Sequence, residues 1–243
     1  MSRIRVVHHL EDVTDTDVVE AVQQVRTAKG CLESEAFRGI TSNGRVTVVE
    51  LWEDEIAFSR DWINRVRNEK RDIIADQLST SGLPSAIYHQ RTFRRERGWV
   101  DTELPQETLV TWPARGPVHI VILMSTPMPE AAIPAHTRDE TNTRREHGCD
   151  WYSWNQSLED PHHMCLTEVW SDQSIYDAHW NLRIKVAEAA AARGETQEPP
   201  APGPRTLGSN SLEFYRHQGF RFMYDRWLPE ANSDWSETIS WGS

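Results

Sequence analysis

The sequence predicts an α+β fold built from two copies of one small domain, because the chain repeats itself at a fixed spacing. Matching residues of the two halves lie 118 positions apart, with no gap from Gly30 to Arg65. Self-similarity over this length indicates a duplicated domain rather than a short structural repeat. The matching residues are Gly30-Cys31 and Gly148-Cys149, Glu50-Leu51-Trp52 and Glu168-Val169-Trp170, Asp54 and Asp172, Trp62 and Trp180, and Arg65 and Arg183.

The same order of elements is predicted in each half from hydrophobic periodicity and turn residues. Asp15 or Thr16 can cap the first helix, whereas Pro134 interrupts its counterpart and leaves that helix start open. Asn43-Gly44 is a strong hairpin signal. The first half is predicted to contain strands at 4–10, 32–38, 46–52 and 87–93, with helices after residue 15 and at 55–78. The second half is predicted to contain strands at 118–124, 151–156, 163–170 and 214–220, with helices at about 130–146 and 173–192. This β-α-β-β-α-β order is the ferredoxin-like pattern.

One insertion distinguishes the halves. Residues 194–211, which include a proline-rich run, have no counterpart in the first half. Such a segment is either a surface loop or a lid over a cavity. We place the two repeats at 1–113 and 114–243, with the insertion at 194–211 in the second.

Composition limits the partners that the chain can have. A net charge of −11 argues against nucleic acids and anionic membranes, which bind basic patches. No apolar run is long enough to cross a bilayer, and the first residues show no signal peptide, so we expect a cytoplasmic protein. The 11 tryptophans predict either unusually aromatic cores or a flat, aromatic-lined cavity.

The repeated residues resemble the antibiotic biosynthesis monooxygenase domain, a family of the dimeric α+β barrel superfamily. The best match runs from Gly148-Cys149 through Glu168-Val169-Trp170 to Ala178-His179-Trp180, while the first half has Asp61 in place of His179. The resemblance implies that the two repeats pack sheet to sheet as an intramolecular barrel. A tandem arrangement is physically sensible, because each sheet would otherwise leave one face bare. Whether two such chains pair again as a homodimer stays open.

The second half carries the denser set of polar and aromatic residues, and we expect the active site there. Tyr176 precedes His179 and Trp180 by about one helical turn, so the three can be neighbours. We assign His179 or His217 as the catalytic base, with Tyr176 and Asn155 as partners of a phenol or oxyanion. The expected substrate-binding residues are Trp151, Trp154, Trp180, Trp170, Glu168, His119 and Tyr215.

Histidines also lie on both first strands, and their roles stay open. Neighbouring strand residues face opposite sides, so one of His8 and His9 points into the barrel. An inward histidine, His119 included, could be a base, a metal or heme ligand, or a hydrogen-bonded core residue. Glu50 and Glu168 lie on apolar strand faces and need hydrogen-bond partners, which favours a structural role for both.

The resemblance implies a reaction class. Some members of the family oxidise aromatic or phenolic substrates with O2 and no cofactor, and a base forms the reactive anion. We therefore expect a cofactor-independent monooxygenase, or a related ring-modifying enzyme, acting on an aromatic intermediate of secondary metabolism. No phosphate-binding fingerprint or zinc spacing is present, so we expect no cofactor.

Two alternatives remain. One is a small-ligand-binding or stress-response barrel without chemistry. The other is a heme-binding or heme-degrading member, since part of the superfamily degrades heme with a histidine beyond the helix tryptophan. The stretches after Trp62 and Trp180 contain no histidine, although His8, His119 or His217 could act as ligands from elsewhere.

Overall fold

The computed structural model describes residues 3–41, 45–67, 72–94, 100–101, 116–126, 128–194 and 210–230, and it confirms the predicted fold class. The first half contains β1 (Ile4–Leu10), α1 (Asp15–Val25), β2 (Cys31–Gly39), β3 (Val46–Trp52), α2 (Glu55–Arg67), α3 (Ile73–Ser81), β4 (Ser85–His89), β5 (Phe93–Arg94) and β6 (Val100–Asp101). The second half contains β7 (Val118–Ser125), a 3₁₀ turn (Glu130–Ala132), α4 (Ile133–Thr143), β8 (Cys149–Ser157), β9 (His163–Trp170), α5 (Gln173–Ala192), β10 (Ser211–Arg216), β11 (Gly219–Met223) and β12 (Arg226–Pro229).

Within the described residues, ten strands form one curled antiparallel sheet in the order β10-β7-β9-β8-β2-β3-β1-β4-β11-β12. Each half contributes the same four-strand order, β4-β1-β3-β2 and β10-β7-β9-β8. The halves join where β2 pairs with β8, with Phe37 opposite Ser157 and Gly39 opposite Asn155. The duplication in the sequence is therefore a duplication of sheet topology.

Strand alternation divides the side chains between the helices and the barrel interior. On β1, Ile4, Val6 and Leu10 belong to the core under the helices, whereas Val7 belongs to a cluster drawn from both halves. That interior cluster consists of Val7, Phe37, Val49, Ala86, Tyr88, Val121, Leu123, Cys165 and Tyr215. The two halves of the sheet thus bury their inner faces against each other, as the barrel arrangement requires.

The Gly-Cys pair of each repeat marks a tight approach to the segment that joins the hairpin to the following helix. Gly30 and Gly148 have φ values of +92° and +78°, a backbone region that favours glycine. Their carbonyls accept hydrogen bonds of 2.8 Å from the backbone N–H groups of Glu53 and Ser171, respectively. Glycine is required there for backbone geometry, which explains its place in the repeat.

The last strands differ from the predicted ranges 87–93 and 214–220, because the chain changes sheet partners within them. β10 ends at Arg216 after pairing with β7, and β11 begins at Gly219 and pairs with β4 of the other half. Trp227 on β12 then packs against Trp62, with ring centres 4.7 Å apart. Reciprocally, Phe93 on β5 lies edge-on to Phe214 at 5.7 Å. Each half is therefore completed by a hairpin from the other.

The sequence predicted one helix at 55–78 and left open where the helix near Pro134 begins. The single helix predicted at 55–78 is two helices, α2 and α3, because the Asp72 side chain accepts the N–H of Ala75 and starts a new helix. Pro134 lies in the first turn of α4, where its missing N–H has no intrahelical partner to lose. The Asn43-Gly44 turn, most of the 194–211 insertion and the 113/114 boundary fall outside the described residues.

Candidate functional site

A cavity of about 230 Å³ opens at one end of the barrel interior. Residues of both halves line it, so the site belongs to neither repeat alone. Its lining is His9, Pro84, Ser85, Ala86, His119, Asp150, Trp151, Val169, His217 and Gly219.

Two of the lining histidines share one hydroxyl group. The Tyr88 Oη lies 2.8 Å from Nδ1 of His119 and 2.9 Å from Nδ1 of His217. The two imidazole rings stand edge to face, with centres 5.4 Å apart. Tyr88 and His119 are buried, and His217 is half-buried. A hydroxyl thus connects a deep imidazole with one nearer the surface.

His119 has the features of a base in this cavity. Its Nδ1 is engaged by Tyr88, while its Nε2 has no hydrogen-bond partner among the described residues. Burial lowers the pKa of His119, and the neighbouring His217 and His9 lower it further. Since a neutral imidazole with a free nitrogen can accept a proton, this atom is suited to abstract one from a ligand.

The other two histidines are also held neutral. Burial, aided by His217 and Arg45, lowers the pKa of His9 to about 4. Burial likewise lowers the pKa of His217, partly offset by the carboxylates of Glu230 and Asp150. Three adjacent imidazoles disfavour one another's protonation, so all three are neutral near pH 7.

Trp151 supplies an aromatic wall fixed from several sides. Its indole Nε1 donates to Thr167 Oγ1 at 3.0 Å, and the His9 ring lies 5.4 Å away. The guanidinium groups of Arg45 and Arg144 approach the ring at 5.0 and 5.4 Å. An indole ring that is fixed in position in this way suits the binding of a planar ligand.

The opposite end of the barrel has the same backbone but different side chains. Ile4 pairs with Trp52, and Val118 pairs with the equivalent Trp170. Arg5 and His119 are the next residues along β1 and β7, so they occupy equivalent positions in the two repeats. Arg5 forms a bidentate pair with Glu213, at 2.9 Å for both contacts. Tyr215 donates to the same carboxylate at 2.5 Å, and Gln90 donates to it at 3.0 Å. Charged side chains therefore fill the end that is equivalent to the cavity.

On the helix side of the second half, His179 lies in a packed aromatic layer. Its Nδ1 lies 2.7 Å from Glu146 Oε2, and its ring is 4.6 Å from Trp170. The ring centre of Tyr176 lies 6.4 Å from the ring centres of both His179 and Trp180, so the three are neighbours, as the helical spacing predicted. The Trp154 ring lies on this side too, against His136 at 4.8 Å.

The repeated Glu-x-Trp motif forms the same hydrogen bond in both halves. Trp52 Nε1 donates to Glu50 at 2.8 Å, and Trp170 Nε1 donates to Glu168 at 2.9 Å. This observation agrees with the structural role inferred from the sequence. Burial raises the pKa of Glu168 to about 7, although its bond from Trp170 opposes that shift.

The structure divides the site residues predicted from sequence between two faces of the sheet. His217, His119 and Trp151 line the cavity, and Tyr215 stacks on Tyr88 at 4.2 Å. Asn155 faces the interior, but its amide donates to the carbonyls of Ser153 and Cys165. On the helix side lie His179, Tyr176, Trp180, Trp170, Glu168 and Trp154.

The sequence analysis did not identify Tyr88 as a site residue, and it did not decide which of His8 and His9 points into the barrel. The alternation rule separates these two histidines correctly: His8 stacks on Trp62 at 5.5 Å under the helices, while His9 lines the cavity. Tyr88 could have been noticed from its position equivalent to Tyr215. Neither its partners nor the cavity was visible in the sequence, because they depend on contacts between the halves.

The described residues contain no group of three or more His, Cys, Asp or Glu side chains placed to hold a metal ion. No helix in the described part of the chain combines the length and apolar character needed to span a membrane.

These features define a tandem ferredoxin-like barrel with an interior histidine-tyrosine site. The family model described as antibiotic biosynthesis monooxygenase matches the chain twice, at residues 9–62 and 120–184. The chain belongs to this family, as a tandem duplication of its domain. A comparison with curated proteins yields no match.

Solved structures with a similar fold include three related to monooxygenases or oxidases. A protein provisionally named a monooxygenase from Fusobacterium nucleatum is 13% identical, with 89% of this chain and 92% of that chain covered and a TM-score of 0.32. An anthrone oxidase-like protein is 11% identical, with 90% of this chain and 94% of that chain covered and a TM-score of 0.34. A ferredoxin-fold protein from Listeria monocytogenes, related to antibiotic biosynthesis monooxygenases, is 6% identical. The comparison covers 89% of this chain and 95% of that chain, with a TM-score of 0.29. Likenesses at this level carry no functional information.

Proposed function

We propose that the chain is a cofactor-independent monooxygenase that oxidises a small phenolic substrate with O2 in the barrel cavity. The observation that carries this proposal is the free Nε2 of buried His119 on the wall of a cavity that also presents Trp151. Membership of a monooxygenase-like family supports the reaction class.

His119 acts as the base in this proposal. Its Nε2 accepts the phenolic proton of the substrate, while Tyr88 holds the ring through Nδ1. Trp151 stacks on the substrate ring and helps to keep water away from the anion that forms. An electron-rich phenolate then passes an electron to O2.

The reaction balances without a cofactor. One oxygen atom of O2 becomes a new ring carbonyl and the other leaves as water. The ring supplies all four electrons and becomes a quinone, while its C–H and O–H hydrogens end in the water.

The cavity volume favours a small substrate. An engineered apolar cavity of about 150 Å³ accommodates benzene, and this cavity measures about 230 Å³. A phenol with one or two fused rings fits that space. A ligand of three or more rings would extend out of the barrel.

Oxygen uptake with phenol, 1-naphthol and 9-anthrone tests the proposal, with ¹⁸O2 used to follow the oxygen atom. We expect turnover of the smaller phenols and one labelled oxygen in the product. His119→Asn keeps a hydrogen-bonding group near Nδ1 and deletes Nε2, so it should lower the rate by about 10²–10⁴-fold. The exposed His147→Gln serves as the matched control and should leave the rate unchanged.

Three results would redirect the assignment. Quenching of tryptophan fluorescence by 1-naphthol without oxygen uptake would indicate a ligand-binding barrel. Loss of turnover in His179→Gln, with His119→Asn active, would move the chemistry to the helix side. A Soret band after addition of hemin would favour the heme-binding alternative.

A further inference from the structure

The Tyr88 hydroxyl connects two imidazoles but carries only one proton. It contacts Nδ1 of His119 at 2.8 Å and Nδ1 of His217 at 2.9 Å. A hydroxyl group donates one hydrogen bond, so it cannot donate to both imidazoles. When the Tyr88 hydroxyl donates to one imidazole, the other imidazole donates its Nδ1–H to the hydroxyl oxygen. The two histidines are therefore opposite tautomers.

We propose that Tyr88 is a proton-relay residue that couples the tautomers of His119 and His217, so that a proton taken up in the cavity leaves near the protein surface. The coupling itself follows from the three hydrogen-bonded groups. Its use in catalysis rests on the function proposed above.

Each step of the relay conserves protons and charge. At the start, His119 carries its proton on Nδ1 and donates it to Tyr88, whose hydroxyl donates to Nδ1 of His217. The substrate O–H bond breaks and an N–H bond forms at Nε2 of His119. The Nδ1–H bond of His119 breaks as a new O–H bond forms on Tyr88. The original O–H bond of Tyr88 breaks as an N–H bond forms at Nδ1 of His217, and His217 releases its Nε2 proton to solvent.

The relay avoids leaving a positive charge on the buried His119 side chain. A buried imidazolium is unfavourable, and His9 and His217 would both repel one formed at His119. Passing the proton through Tyr88 leaves His119 neutral at the end. His217 is half-buried, and the groups that face it include His9 and the carboxylates of Asp150 and Glu230. Those two carboxylates assist a transient positive charge at His217, which places the exit of the relay there.

The other end of the barrel provides the matched control. Tyr215 is the counterpart of Tyr88, but its hydroxyl donates to Glu213, and Gln90 stands where the second repeat has His217. No imidazole is described at that hydroxyl. Tyr215→Phe therefore removes an equivalent hydroxyl group and keeps the ring that stacks on Tyr88.

Histidine ¹⁵N NMR of the full chain, recorded with O2 excluded, tests the coupling without any turnover. We use two probes: 1-naphthol, which donates a hydrogen bond to Nε2 of His119, and isoquinoline, which can only accept one. In the wild type we expect opposite tautomers at His119 and His217, and isoquinoline should invert both together. In Tyr88→Phe, isoquinoline should invert His119 alone, while Tyr215→Phe should behave as the wild type.

The outcomes separate this inference from the proposed function. Equal tautomers in the wild type, or inversion of His119 alone by isoquinoline, would overturn the relay whatever the turnover results. Coupled inversion without oxygen uptake would support the relay and reject the monooxygenase. If Tyr88→Phe fails to fold, the wild-type inversion still decides. For an accepted phenol, Tyr88→Phe should lower turnover at least tenfold.

Discussion

The two ends of the barrel show how one duplicated framework supports two opposite uses. At one end Arg5, Glu213, Tyr215 and Gln90 form a buried, charged and filled network. At the other end, the equivalent positions hold His119, Ala86, Tyr88 and His217. An alanine at the position equivalent to the glutamate leaves space, and a histidine at the position equivalent to the arginine supplies a neutral base. The two ends thus share a backbone geometry, and a few side-chain differences leave a cavity at one of them.

The filled end should be the more sensitive to a single substitution. Arg5→Met leaves Glu213 buried without its partner, so we expect the free energy of unfolding to fall by about 3–5 kcal/mol in urea denaturation. Arg5→Met combined with Glu213→Leu should recover most of that loss. A loss below about 1 kcal/mol in the single variant would mean that water reaches Glu213.

The repeated glutamates extend the comparison to the helix side. Glu50 is paired with Arg65 at 3.2 Å, whereas the equivalent Arg183 turns away to Asp139 and Thr143. Glu168 therefore lacks the ion pair that its counterpart has, which is consistent with its raised pKa of about 7.

Glu168→Gln should stabilise the protein in a pH-dependent way. The folded pKa of about 7 lies above the unfolded value of about 4.3, so ionisation costs stability as the pH rises between them. We expect the variant to gain up to about 3 kcal/mol at pH 8 and almost nothing at pH 4. Thermal or urea unfolding at both pH values measures this gain. An equal gain at pH 4 would point to packing instead of ionisation.

Filling the open end should remove ligand binding. Ala86 is buried and lines the cavity, and Ala86→Leu places a larger side chain there. We expect at least a tenfold weaker affinity for 1-naphthol, measured by tryptophan fluorescence, with the free energy of unfolding changed by less than about 1 kcal/mol. Unchanged affinity would show that the ligand binds elsewhere, for example between α5 and the sheet.

The smallest expected effect concerns acid stability at the open end. The pKa of His9 is about 4 in the folded protein, below its unfolded value of about 6.5. The unfolded chain therefore binds this proton first, and stability falls as the pH drops below 6.5. His9→Gln should remove about 1 kcal/mol of the loss between pH 7.5 and 5.5, allowing for partial exposure of the ring. Identical pH profiles for both proteins would contradict the neutral state of His9.

Local patterns predicted the framework well. The 118-residue offset and the Glu-x-Trp motif predicted the duplication, and β1, β3, β9 and α5 have the predicted bounds. These elements depend on periodicity and turn chemistry within a short window. The break at His217–Gln218 was missed, because nothing local signals that the chain leaves one sheet for the other.

The site was harder to predict for the same reason. Helical spacing correctly grouped Tyr176, His179 and Trp180, but it does not tell which face of the sheet holds a cavity. Tyr88 and His119 meet only because the two halves close on each other. Asn155 looked like a free donor, although the backbone carbonyls around it take both of its amide hydrogens.

The exchange of terminal hairpins has a consequence for how the chain folds. Phe222 and Trp227, which come from the second repeat, complete the core under α2, and Phe93 from the first repeat completes the core around Phe214. Neither repeat expressed as a separate fragment retains a complete hydrophobic core. We therefore expect both repeats to melt in one cooperative transition, and separately expressed fragments to acquire structure only when mixed.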